Sequence, residues 1–143
     1  MSETSRGVTK NRARTDPSSA DRRLRGRTYA IPFDHVWSAA LQIANRRIRG
    51  WSVTASNDES GVIEVESVTL VMRFIDDVRI SVGLDENAQT RVDVESASRV
   101  GRWDLGRNKR TIGRFLRRLD HALEARPGQI LDPTQSPVWQ DAQ

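Results

Sequence analysis

The sequence predicts an α+β domain: an antiparallel sheet of about five strands, in the order β-α-β-β-β-β-α, with two helices packed on one face. Three observations predict it. Apolar residues alternate with polar ones in successive runs between Trp51 and Glu95, separated by turn residues. Two flanking segments, Val36–Ile48 and Leu105–Leu123, instead place apolar residues at three- and four-residue steps. The links between runs are short, which favours a meander, and the one-sided alternation suits a sheet with one covered face.

In chain order, Arg27–Ile31 reads as a short strand ended by Pro32. Asp34 is placed to cap the helix that follows, because a carboxylate there accepts a first-turn N–H. Val36, Trp37, Ala40, Leu41, Ala44 and Ile48 form its apolar stripe, and Gly50 is expected to stop it. Trp51, Val53 and Ala55 alternate with serine and threonine, and Asn57-Asp58-Glu59-Ser60-Gly61 is turn chemistry. Ile63 and Val65 give the next strand. The apolar parity then moves to Val68, Leu70, Met72 and Phe74, which predicts a bulge or bend near Ser67. Val78, Ile80, Val82 and Leu84 form the third run, Glu86–Gln89 a hairpin turn, and Val92 and Val94 the fourth. The second helix is expected from near Asp104, with Leu105, Asn108, Ile112, Phe115, Leu116, Leu119 and Leu123 on its core side.

Charge divides the 143 residues unevenly. Residues 1–27 hold eight Lys/Arg against three Asp/Glu, and residues 101–126 hold eight against three, whereas residues 28–100 hold seven against eleven. Residues 1–26 have no apolar periodicity and read as a disordered basic tail, residues 27–125 as a single α+β domain, and residues 126–143 as a Pro-containing C-terminal tail. There is no cysteine, which excludes disulfides, a thiolate nucleophile and a cysteine zinc site. No run approaches the roughly 20 apolar residues of a membrane helix, and the N-terminus has no apolar stretch of the signal-peptide kind. A cytoplasmic protein is expected. His35 and His121 stand alone without metal-ligand spacing, and no Gly-x-Ser-x-Gly elbow occurs. No cofactor and no catalytic residue are expected.

The stretch Val92–Leu116 holds Asp93, then Ser96, Ser98, Arg99 and Gly101, then Asp104, Gly106 and Asn108. In that order it resembles the bacterial and plant family called domain of unknown function 1499. Asp76-Asp77, Val36-Trp37 and Gly50-Trp51 resemble the family too, so the likeness spans roughly residues 28–120. Family members often carry arginine at the positions of Glu95 and Thr111 and a small residue at that of Trp103. The resemblance implies a fold and a site location, and no activity.

That corner, with Asp77 added, is the candidate site: Asp77, Asp93, Ser96, Ser98, Arg99, Gly101, Trp103, Asp104, Gly106 and Asn108. Two readings stand. In the architectural one Asp104 caps the helix, the glycines permit close packing, and Arg99 pairs with Asp93 or Asp77. In the functional one the helix start and Arg99 hold an anion, or Trp103 anchors a partner. Gly101 to Gly106 has the glycine spacing of a phosphate loop, but Arg107 and Asn108 stand where Lys and Ser/Thr are needed. The function expected is a non-catalytic domain for a small anionic or apolar ligand or for an interaction partner. The alternative is electrostatic binding of nucleic acid, nonspecifically through residues 1–26, or of anionic surfaces through the tail and the Arg-rich last helix.

Overall fold

The computed structural model describes residues 11–100 and 106–132, together with the backbone of Val8–Thr9. Its strands are β1 (Val8–Thr9), β2 (Arg12–Arg14), β3 (Arg27–Tyr29), β4 (Trp51–Asn57), β5 (Val62–Val68), β6 (Ile75–Leu84), β7 (Thr90–Ser98) and β8 (Ile130–Leu131). Helix α1 (Phe33–Arg46) lies between β3 and β4, and α2 (Arg107–Ala122) follows β7. All pairings are antiparallel, in the order β1-β2-β7-β6-β5-β4, with β3 also on β7 and β8 on β3. The α+β class and the β4–β7 meander are as the alternation predicts. The sheet has more strands than expected.

The additional strands come from the segments read as tails. Arg12–Arg14 pairs with Glu95–Ala97 at one end of β7, and Arg27–Tyr29 pairs with Thr90–Val92 at the other. Residues 15–26 are thus an excursion between two halves of one sheet edge. Ala13 and Leu24 are buried in the core, which tethers the excursion at both ends. Ion pairs hold the excursion and the adjoining β2: Lys109 Nζ is 2.7 Å from Asp21, and Arg12 is 3.5 Å from Glu95. The expected disordered tail is therefore corrected over residues 11–26. At the other end Ile130–Leu131 adds to β3, so the C-terminal segment is structured through Leu131.

One face of the sheet carries the core. Ile63 and Val65, then Val78, Ile80 and Val82, then Val92 and Val94 point toward the helices and are buried with Val36, Ala40, Ile43, Ala44, Ile112, Phe115, Leu116 and Leu119. Trp51 stacks on Phe115 with centroids 5.8 Å apart, joining β4 to α2. Each fully buried Val, Leu, Ile or Phe is worth roughly 1.5–3 kcal/mol, so this layer dominates the stability. On α2's far side, Tyr29 donates to Asp120 Oδ1 at 2.5 Å, and Arg27 grips the same carboxylate at 2.9 Å. Burial, then the neighbouring Asp120, pushes the Tyr29 phenol pKa up.

Helix ends differ from expectation. The N-cap of α1 is Pro32, and no side chain caps the helix; Asp34 sits in the first turn and acts on the dipole alone. The helix ends at Arg46, and Gly50, at φ +86°, turns the chain into β4 instead. A Cβ there would lie 2.4 Å from the Val68 carbonyl oxygen, so the position requires glycine on two counts. Helix α2 begins at Arg107 with Gly106 at its N-cap, later than the start expected near Asp104. The bulge predicted near Ser67 is also displaced. β5 keeps register with β6 through Val68, with Ser67 facing inward, and the register shift lies across the strand pair at Val53/Ala55 of β4. The parity change after Ser67 has another cause: the strand ends and a loop begins.

Candidate functional site

The sheet separates the expected site residues onto its two faces. β6 places Asp76 inward and Asp77 outward, because successive side chains alternate. On the inner face Arg107 Nε and Nη2 grip Asp76 at 2.9 and 2.7 Å, in bidentate geometry. Arg107 Nη2 also donates to Ser98 Oγ at 2.6 Å. Asn108 Nδ2 donates to Ser98 Oγ at 3.1 Å and to the Asn11 carbonyl at 2.9 Å, while Ser96 donates to Asn108 Oδ1 at 2.6 Å. Ser96, Ser98, Asn108 and Asp76 are all buried, and no buried side-chain polar atom of the described residues is left without a partner. This network fastens the start of α2 to β6, β7 and the N-terminal segment. Each of its buried side-chain polar atoms has a partner within the fold.

On the outer face Arg99 reaches Asp77 at 2.8 Å and Glu66 at 2.9 Å. The Arg99 guanidinium holds the Asp77 carboxyl below the usual carboxylate range, and Asp77 with Glu66 raises Arg99 in turn. Asp93 lies further along this face. It accepts from Thr15 Oγ1 at 2.7 Å and from Arg91 Nη2 at 2.7 Å, which ties the excursion to β7. Arg99 therefore pairs with Asp77 and not with Asp93. Gly101, Trp103 and Asp104 lie outside the described residues. Of the ten expected residues, the structure joins Ser96, Ser98 and Asn108 in one cluster and Asp77 with Arg99 in another. It sets Asp93 apart, and Gly106 serves as the left-handed cap of α2.

A cleft beside the inner network was not foreseen. It has a volume of about 480 Å³ and lies between the β5–β6 loop and the first turns of α2. Val68, Leu70, Met72 and Phe74 give it an apolar wall, with Trp51 also lining it. Arg49, Arg110 and Arg114 line it as well, with Thr111. Phe74 lies 5.0 Å from the Arg107 guanidinium, in cation–π range, so the buried Asp76–Arg107 pair also positions this wall. The sequence signal was available. Asp76 and Ser96 share the parity of core valines on their strands, and an inward carboxylate requires a cation. Among the described residues, no group of three or more His, Cys, Asp and Glu is placed to hold a metal ion. No described helix is long and apolar enough to cross a membrane.

The network that fixes α2 to β7 is built from the Ser-x-Ser and Gly-x-Asn positions of the motif, and a family model described as Protein of unknown function (DUF1499) matches residues 4–119. The chain belongs to this family. The match takes in the N-terminal segment that pairs with β7, consistent with that segment being part of the domain. No curated protein and no solved structure matches the chain.

Proposed function

We propose that this DUF1499 domain is a non-catalytic binding domain whose cleft takes a small amphiphilic anion, a carboxylate or phosphate ester carrying an apolar chain. One observation carries the reading: the cleft sets an apolar wall of Val68, Leu70, Met72 and Phe74 beside Arg49, Arg110 and Arg114. A concave site of this size with few polar groups suits a ligand of that class. The wall would shelter the chain, and the guanidiniums would pair with the head. Arg49 and Arg114 have no acidic partner among the described residues, so they have charge to offer.

Calorimetric titration of the full-length protein with decanoate, below its micellar concentration, tests this. Saturable binding is expected, with at least about tenfold weakening in an Arg49→Gln/Arg114→Gln double variant, since a charge-assisted hydrogen bond is worth roughly 1.5–3 kcal/mol. Absence of saturable heat, or indifference to the double variant, sinks the reading. The second reading, charge-only binding of nucleic acid, draws support from Arg114, Arg117 and Arg118, which lack acidic partners among the described residues. It predicts affinity that falls linearly with salt on logarithmic axes and ignores the apolar wall.

A further inference from the structure

The loop that walls the cleft also projects beyond it. Val71 is 87% exposed and Met72 66%, with Leu70 and Phe74 exposed beside them. The loop is closed at its base: Thr69 N–H donates to the Phe74 carbonyl at 2.9 Å, and Phe74 N–H to Thr69 Oγ1 at 2.8 Å. It thus holds its apolar tip in water instead of folding it onto the core. Arg73, with φ of 59°, occupies a left-handed position where glycine or asparagine is the easier choice, and it sets a cation among the apolar residues.

A row of arginines adjoins the tip. Arg110, Arg114 and Arg117 follow at steps of four and three, so they share one side of α2, with Arg118 alongside. Arg114 lines both the cleft and a neighbouring groove between α1 and α2, where Arg47, Arg117 and Arg118 join it. Apolar tip and cationic row are therefore one continuous surface. Among the described residues Asp76 is the one acid lining the cleft, and Arg107 already engages that carboxylate; Asp120 and Glu124 enter at the far end of α2.

We propose that this surface docks onto an anionic lipid bilayer, with Leu70, Val71 and Met72 entering the headgroup–acyl boundary and the arginines pairing with lipid headgroups. The charge is complementary to an anionic leaflet, and peripheral attachment needs two signals, apolar insertion and a basic patch. A nucleic acid backbone would satisfy the arginines but leave Val71 and Met72 in water. The inference goes beyond the cleft reading and does not depend on it.

The test uses the full-length chain with vesicles of phosphatidylcholine alone or mixed with phosphatidylserine. Co-sedimentation is expected with the mixed vesicles only. Val71→Asp and, separately, Arg117→Glu/Arg118→Glu should each lower partitioning by roughly tenfold or more, as apolar insertion and headgroup attraction both contribute. The chain contains no cysteine, so Val71→Cys gives a unique site for a polarity-sensitive dye, whose emission should shift to the blue on mixed vesicles. No partitioning, partitioning unchanged by Val71→Asp, or an unshifted dye overturns the proposal. Arg117 and Arg118 lie outside the cleft lining, so their variant should bind decanoate normally. For the natural chain, failure to bind the mixed vesicles while decanoate still binds refutes docking alone, and vesicle binding without decanoate binding refutes the cleft ligand alone.

Discussion

Asp76 and Asp77 are neighbours in sequence, and each meets an arginine through two short hydrogen bonds. The likeness ends there. The Asp76 side chain is 1% exposed and its partner Arg107 is mostly covered, whereas the Asp77 side chain is 54% exposed and Arg99 stands in water. The first pair has lost its hydration and is held together by mutual need. The second exchanges one set of good hydrogen bonds for another. The same chemistry, displaced by one residue on a pleated strand, is a structural joint on one face and surface decoration on the other.

Substitutions can break this contrast. Asp76→Ala leaves the mostly covered Arg107 guanidinium without its counter-charge and should reduce unfolding free energy by about 3 kcal/mol. Urea denaturation would measure it. A loss no greater than that of an ordinary surface variant would show that Arg107 escapes to solvent and that the joint is not one.

A third acidic residue sharpens the contrast through pH. Lys109, with Arg23, holds the Asp21 carboxyl well below the usual carboxylate range. The folded chain therefore binds this proton less readily than the unfolded chain, and the pair stabilises the fold above the ordinary carboxylate pKa of about 4. That contribution is lost as pH falls further, through the folded value. The stability difference between the natural chain and Asp21→Asn should be constant near neutrality and shrink in acid. A difference that persists undiminished in strong acid would mean that packing of the excursion, not the ion pair, is responsible. Asp77→Ala should do least. Its midpoint in urea at neutral pH is expected within the scatter of surface substitutions, since solvent screens the pair with Arg99. A clear loss would put Asp77 in the same class as Asp76.

The meander and both helices were legible because period-two and period-3.6 patterns survive without knowledge of tertiary contacts. β2 was not. Three residues holding one inward Ala13 between two arginines carry no period, and their partner on β7 lies some eighty positions away. Leu24 is a single apolar residue among arginines, with equally little pattern to show. The β5–β6 loop misled for the opposite reason. Val68, Leu70, Met72 and Phe74 imitate strand alternation, while Thr69 and Phe74 close a loop. At the corner, the pairing of Arg99 with Asp77 was among the options read from sequence, and so was the burial of Asn108. The partnership of Asp76 with Arg107 was missed because a helix period does not say which strand residue an arginine at the helix start will meet.

β4 pairs only with β5 among the described residues, so the sheet has an open side there. Its register slips between Val53 and Ala55, halfway along. A foreign strand laid against that side would find its ladder out of step after two or three residues. A slip of this kind works against templated growth, the route by which an open sheet recruits copies of itself into fibres.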